Sequence, residues 1–141
     1  MTSYYSNLPH GGTSEHNGVM PILNQSLAGA DWIDPDTLPR PIVTMGFHLT
    51  GLNGFELDAH VHQKGQIIFV KKGALNCEVA GGLWIVPPGS AMWIPGEIAH
   101  SLKVAGGLEG YNTFIASDVA AGFPATCCAI SVTPLLRELL I

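Results

Sequence analysis

The sequence predicts an all-β protein that ends in one short helix. The chain of 141 residues contains 17 Gly and 10 Pro, and only 12% of its residues are charged. Its apolar runs are short and are bounded by turn residues, as in chains that form a sandwich or barrel of antiparallel strands. At this length a single domain can bury a core of its own.

The predicted strands follow one another from residue 42 onward. We assign them to residues 42–50, 55–62, 66–71, 74–80, 83–86, 91–94, 101–104, 111–117 and 126–132. The run 66–71 is strongly apolar, which indicates a buried strand. Gly81 and Gly82 predict a two-residue hairpin turn between the strands on either side.

The two ends of the chain depart from this strand pattern. Residues 1–28 lack periodicity and are predicted to be a flexible tail before a domain of residues 29–141. At the other end, Thr133 suits an N-cap and Pro134 the first helical position. An apolar stripe then follows at helical spacing: Leu135, Leu136, Leu139 and Leu140. Because neither Gly nor Pro ends this helix before Ile141, we interpret it as truncated.

Composition excludes several classes of protein. The formal net charge of −5 argues against direct binding of nucleic acid, which requires a basic face. No apolar run approaches the length of a membrane span, and the start of the chain lacks a secretory signal. Three cysteines, an odd number, do not indicate a disulfide framework. We therefore expect a cytoplasmic protein with no membrane partner.

Histidines form the most informative pattern. His60 and His62 lie one residue apart in a predicted strand, so their side chains share one face. Gln66 follows them, and His100 lies in a later stretch that begins at Gly89. Imidazoles and an amide that meet in this way predict a metal site or a polar ligand pocket.

Two stretches of the sequence resemble the two motifs of the cupin superfamily. The residues at the matching positions and spacing are Gly54, His60, His62 and Gly73 in the first motif, and Gly89, Pro95 and His100 in the second. The chain departs from the family at Gln66, where the metal-binding Glu is expected, and at Glu97, where a Gly is expected. The resemblance implies a double-stranded β-helix, or jelly-roll, barrel.

The cupin resemblance also implies a site inside the barrel. Its metal ligands would be His60, His62, His100 and Gln66, with Zn, Ni, Fe or Cu as the divalent ion. In the alternative interpretation, the histidines hydrogen-bond each other or water in a polar cavity. The predicted ligand-binding residues are His60, His62, Gln66, His100, Phe69 and Trp93. Glu56 and Asp58 share the parity of the histidines, so each is either a carboxylate that orients an imidazole or a solvent-exposed one.

A narrower resemblance covers roughly residues 40–141. The histidine pattern, together with Trp93-Ile94-Pro95 and the closing Pro134-Leu-Leu-Arg-Glu-Leu, looks like the amino-terminal domain of AraC-type transcription regulators. This resemblance implies a domain that senses a small-molecule effector and forms a homodimer. DNA would be bound only by a helix-turn-helix region that is absent from this chain.

The alternative function is a small metal-dependent cupin enzyme, such as a dioxygenase or isomerase. The sequence favours the regulator domain over this alternative. Gln66 replaces the carboxylate that could double as a base, and no other His or carboxylate is placed as a general base. We therefore predict no catalytic residues.

Overall fold

The computed structural model describes residues 2–6, 34–49 and 55–141. Ten strands in these residues form two sheets. The strands are β1 Thr2–Ser6, β2 Ile42–Leu49, β3 Phe55–His60, β4 Gly65–Lys72, β5 Leu75–Val79, β6 Gly82–Val86, β7 Ala91–Ile94, β8 His100–Val104, β9 Leu108–Ile115 and β10 Cys128–Ile130. Two 3-10 turns, Pro35–Thr37 and Val119–Gly122, and one helix, α1 (Pro134–Leu140), complete the described elements.

The two sheets form a jelly-roll barrel. The first sheet has six strands in the order β1-β2-β9-β4-β7-β10, and the second has four in the order β3-β8-β5-β6. Every described strand pair is antiparallel except β1 with β2, which is parallel. In the larger sheet, the three longest strands, β2, β9 and β4, are consecutive neighbours.

The core lies between the sheets. Alternate residues of β4, such as Ile68 and Val70, point into it, and residues of the smaller sheet, such as Cys77 and Val104, meet them there. The buried members of this first cluster are Met45, Phe47, Ile68, Val70, Leu75, Cys77, Val86, Met92, Ile94, Val104, Leu108 and Phe114.

The larger sheet is also covered on its outer face. A second cluster there contains Ile67, Phe69, Ala91, Trp93, Ile115 and Leu140. Because both faces of β4 and β7 are buried, residues 67–70 and 91–94 are apolar at successive positions rather than at alternate ones. The two clusters therefore hold β4 and β7 in place from both faces.

Helix α1 covers part of that outer face. Thr133 caps it, because the Thr133 hydroxyl accepts a hydrogen bond from the Leu136 N–H at 3.2 Å. Leu136 and Leu140 pack on the second cluster, whereas Leu135 and Leu139 are 72% and 71% exposed. The predicted apolar stripe is therefore divided into two pairs of leucines. One pair packs on the barrel, and the other pair faces solvent. Among the described residues, no helix is long and apolar enough to cross a membrane.

The predicted strands agree with the observed ones within a few residues at their ends. The hairpin turn was predicted one residue too late: Val79 pairs with Gly82, so the turn residues are Ala80 and Gly81. Gly81 has a φ of 93°, which explains the glycine there. Within the predicted tail of residues 1–28, Thr2–Ser6 forms β1, and the rest of that tail lies outside the described residues.

We expect Leu140→Ala to lower the free energy of unfolding by about 2 kcal/mol, because it removes buried methyl groups from the second cluster. The neighbouring Leu139→Ala removes the same atoms from an exposed side chain, so its effect should be below about 0.5 kcal/mol. Urea denaturation followed by Trp fluorescence measures both. Equal effects of the two variants would contradict the packing of α1 on the barrel.

Candidate ligand and metal site

Neighbouring strands of the smaller sheet carry two of the three histidines. His60 is the last residue of β3 and lies directly opposite His100, the first residue of β8. The pairing of β3 with β8 shifts register between Leu57 and His60, as at a β-bulge. His62 follows two residues after β3.

The three imidazoles converge inside the barrel. One ring nitrogen from each of His60, His62 and His100 lies within 4.8 Å of the others. The ring centroids are 4.2 Å apart for His60 and His100, and 5.1 Å apart for His62 and His100. His62 and His100 are buried, and His60 is half-buried. The structure therefore brings together the three histidines that the sequence motifs select.

Each histidine is oriented by a backbone carbonyl. The distances from Nδ1 to the carbonyl oxygen are 3.0 Å for His60 to Asp58, 2.6 Å for His62 to Lys64, and 2.8 Å for His100 to Ile98. Because a carbonyl oxygen only accepts hydrogen bonds, each Nδ1 must carry the hydrogen. In the neutral rings the lone pair is therefore on Nε2, which is the arrangement found in metal-binding histidines.

Gln66 on β4 completes the group from the opposite sheet. Its Oε1 lies 3.1 Å from His62 Nε2, and its Nε2 donates to Asn112 Oδ1 at 2.9 Å. In this arrangement two lone pairs face each other across 3.1 Å. A cation bound by both atoms would relieve this contact, and so would a reversal of both amides, after which Gln66 donates to His62.

Burial keeps the imidazoles of His60 and His100 neutral. It lowers the pKa of His60 to about 4 and that of His100 to about 3, and nearby histidines lower both further. Both rings are therefore uncharged near pH 7, which is the form that binds a metal ion. His100 Nε2 is buried and has no hydrogen-bond partner in the described part of the chain. An orphaned buried nitrogen of this kind is costly unless something binds it.

Phe69 and Trp93 do not lie at this cluster. Both belong to the second cluster, on the outer face of the larger sheet, because their strand positions alternate with those of Gln66 and Ile94. Trp93 donates from Nε1 to the Pro124 carbonyl at 2.8 Å. These two predicted ligand-binding residues therefore pack the barrel from outside and do not contact the histidines.

Two residues of β9 take the places next to the histidines instead. Phe114 lies opposite Gln66 in the strand pairing, and its ring is 5.4 Å from that of His62, edge to face. Asn112 binds the Gln66 amide. The sequence signal that could have found them is the parity of β9, in which a polar Asn112 and an apolar Phe114 share one face.

Glu56 and Asp58 lie at the surface rather than at the imidazoles. Glu56 forms an ion pair with Lys103 at 2.9 Å, and both side chains are exposed. Asp58 is also exposed, and the group of Asp58 that contacts His60 is its backbone carbonyl. Of the two alternatives for these carboxylates, the structure therefore agrees with the solvent-exposed one. For Glu56, the register shift that precedes His60 breaks the parity with the histidines.

A backbone hydrogen bond connects the second motif to His62. Glu97 N–H donates to the His62 carbonyl at 2.8 Å. Glu97 has a φ of 64°, so it holds the left-handed conformation that glycine adopts most easily. At Gly96, a Cβ would collide with the Gln63 carbonyl oxygen. The turn therefore keeps the shape that the motif requires although its glycine lies one place early.

Comparison with known proteins places this geometry in a family. The profile of the family described as the AraC-like ligand binding domain matches residues 47–134. The chain is 38% identical over 108 residues to the HTH-type transcriptional regulator NimR of Escherichia coli K12. That match covers 77% of this chain and 39% of NimR, so the chain spans well under half of its relative.

Solved structures confirm the predicted fold. A conserved protein of unknown function from Streptococcus pyogenes has a TM-score of 0.50 at 16% identity, with 81% of this chain and 95% of that chain covered. The cupin domain of Cnp3 from Schizosaccharomyces pombe has a TM-score of 0.52 at 11% identity, with 61% and 64% covered. At these identities the likeness concerns the fold, which is the jelly-roll barrel of the cupins.

Two adjacent substitutions in the 96–97 turn are expected to change stability in opposite directions. Gly96→Ala should lower the free energy of unfolding by about 1–3 kcal/mol, because its Cβ meets a backbone oxygen. Glu97→Gly should raise it by about 0.5–1 kcal/mol, because it removes left-handed strain at some cost in chain entropy. Glu97→Ala retains that strain and serves as the control. Urea denaturation measures all three, and no gain from Glu97→Gly would contradict strain at this position.

Proposed function

The chain belongs to the AraC-like ligand-binding domain family, and from this we propose that it is the effector-sensing domain of an AraC-type transcription regulator in the cytoplasm. The observation that carries the proposal is the cluster of inward-facing histidines in a domain of this family. The formal net charge of −5 disfavours binding of DNA phosphates by this domain itself. DNA would be contacted by a separate helix-turn-helix region rather than by this domain.

A divalent transition metal fits the histidine cluster. His60, His62 and His100 would bind it through Nε2, and Gln66 through Oε1. Two observations support this fit: the buried Nε2 of His100 has no hydrogen-bond partner among the described residues, and Gln66 Oε1 faces the lone pair of His62. Zn, Ni, Fe and Cu all accept imidazole nitrogen as a ligand.

The charge of this ligand set indicates the class of effector. All four side chains are neutral, so a bound divalent ion would supply an uncompensated positive charge inside the barrel. The described Lys and Arg side chains are exposed or engaged elsewhere. We therefore propose a small effector with an anionic oxygen, which the ion would attract.

Metal binding is tested on protein purified without a His-tag. We expect His100→Ala to abolish Zn and Co binding, and Gln66→Glu to strengthen it by adding a charged oxygen. His48→Ala is the matched control, because His48 lies exposed on β2. Elemental analysis after dialysis measures bound metal. Equal or lower metal content in Gln66→Glu than in the parent would show that Gln66 is not a ligand.

A metal-dependent enzyme has less support from the site. The described carboxylates nearest in sequence to His60, those of Glu56 and Asp58, are exposed. The remaining polar side chains at the cluster, Gln66 and Asn112, are amides, which do not act as general acids or bases at neutral pH. Sensing requires only binding, and these groups are suited to it.

We further propose that the domain forms a two-fold homodimer through α1. Leu135 and Leu139 are adjacent on the helix, and both are more than two-thirds exposed. A second copy that presents the same stripe would cover them, as symmetric interfaces do. A dimer would also place two DNA-binding regions on two half-sites.

The association is tested by sedimentation velocity over a range of concentrations. We expect the parent to dimerise and the double variant Leu135→Glu/Leu139→Glu to be monomeric, because charge replaces the exposed stripe. The matched control is Leu83→Glu/Ile85→Glu, which changes the exposed apolar residues of edge strand β6. Loss of the dimer in the control alone would assign the interface to that strand edge, and a monomeric parent would exclude the dimer.

A further inference from the structure

A short segment before β2 is bonded to the loop that carries His62. We call residues 34–40 the strap. The ammonium group of Lys64, a buried residue, donates to three strap carbonyls, those of Pro35 at 2.6 Å, Leu38 at 2.8 Å and Arg40 at 3.2 Å. Because an ammonium group has three hydrogens, these carbonyls satisfy every donor of the buried cation.

The strap also holds the backbone of the same loop. The carboxylate of Asp36 accepts hydrogen bonds from the Gln63 N–H at 2.8 Å and the Lys64 N–H at 3.1 Å. Asp36 is itself placed by the 3-10 turn, in which its N–H donates to Asp34 Oδ1 at 2.9 Å. Lys64 is therefore bound to the strap through both its side chain and its main chain.

The remaining polar group of Lys64 faces the site. Its carbonyl oxygen accepts the hydrogen bond from His62 Nδ1, at 2.6 Å the shortest of the three histidine–carbonyl contacts. Displacement of the Lys64 backbone would lengthen this bond. The His62 ring could then rotate or move its hydrogen to Nε2, and either change would remove the inward lone pair.

We propose that Lys64 is a positioning residue, which the strap locks in place so that His62 presents an unprotonated Nε2 to the site. The proposal deepens the proposed function, because it rests on that function for what the nitrogen binds. The hydrogen bonds themselves do not depend on the proposed function. The hydrogen bonds connect the strap to Lys64 and Lys64 to His62. Binding at the site would therefore stabilise the strap in return.

The tautomer of His62 in the metal-free protein tests the positioning directly. Long-range ¹H–¹⁵N NMR spectra distinguish a hydrogen on Nδ1 from one on Nε2. We expect His62 of the parent to carry it on Nδ1, and Lys64→Met and Asp36→Asn to give a mixture. His100 is the internal control, because its carbonyl partner is Ile98. His62 unchanged in every folded variant would overturn the proposal.

Two surface variants separate positioning from a general effect of lost charge. Lys71→Met removes a lysine that pairs with Glu109, and Asp118→Asn removes a carboxylate with no capping hydrogen bond. Both should leave His62 as in the parent, and a mixed tautomer in these controls would overturn the proposal. If Lys64→Met does not fold, Asp36→Asn still tests it, because Asp36→Asn retains the ammonium group and its three carbonyls.

Metal affinity gives the second measurement. If the parent binds Co²⁺, titration should show an affinity lower by about 10- to 100-fold in Lys64→Met and Asp36→Asn, as for other groups that orient a metal-binding histidine. Unchanged affinity in both variants would overturn the proposal. If the parent binds no Co²⁺, a metal is no longer part of the proposed function. The NMR measurement of the His62 tautomer then decides the role of Lys64.

Discussion

The hydrogen bond that each imidazole donates to a backbone carbonyl is the interaction on which the site depends. It determines which nitrogen carries the hydrogen, and it directs the lone pairs of His60, His62 and His100 toward one another. The three carbonyls belong to residues two positions from each histidine. The local backbone conformation therefore determines which nitrogen of each ring is free to bind a ligand. The barrel supplies the rigidity, since a neighbouring strand holds the backbone of β8 on each side.

The replacement of a carboxylate by Gln66 changes the electrostatics of the cluster. A carboxylate would partly neutralise a bound cation and offer an acceptor for protons, whereas an amide does neither. The Gln66 amide is held by Asn112 on β9, so the larger sheet contributes an oriented but uncharged group. Burial, which lowers the pKa of His60 and His100, keeps these two imidazoles neutral too. The site is thus suited to binding and poorly suited to proton transfer.

Local patterns and motif spacing were sufficient to predict the strands, the barrel fold and the three histidines. Strand positions could be predicted because alternation and turn residues are local properties of the chain. The histidines could be identified because the spacing of the two motifs encodes their place in the barrel. The same local reasoning predicted the helix from Thr133 and Pro134, whose capping geometry the structure shows.

Tertiary structure alone decided which other residues reach the site. The bulge before His60 broke the parity of Glu56 with the histidines, and a register shift leaves no clear mark in sequence. Sheet packing put Phe69 and Trp93 on the outer face, and it brought Phe114 to His62 and Asn112 to Gln66. The bonds from the strap to Lys64 join residues more than twenty positions apart. Such contacts depend on how distant segments meet, and no local pattern specifies that.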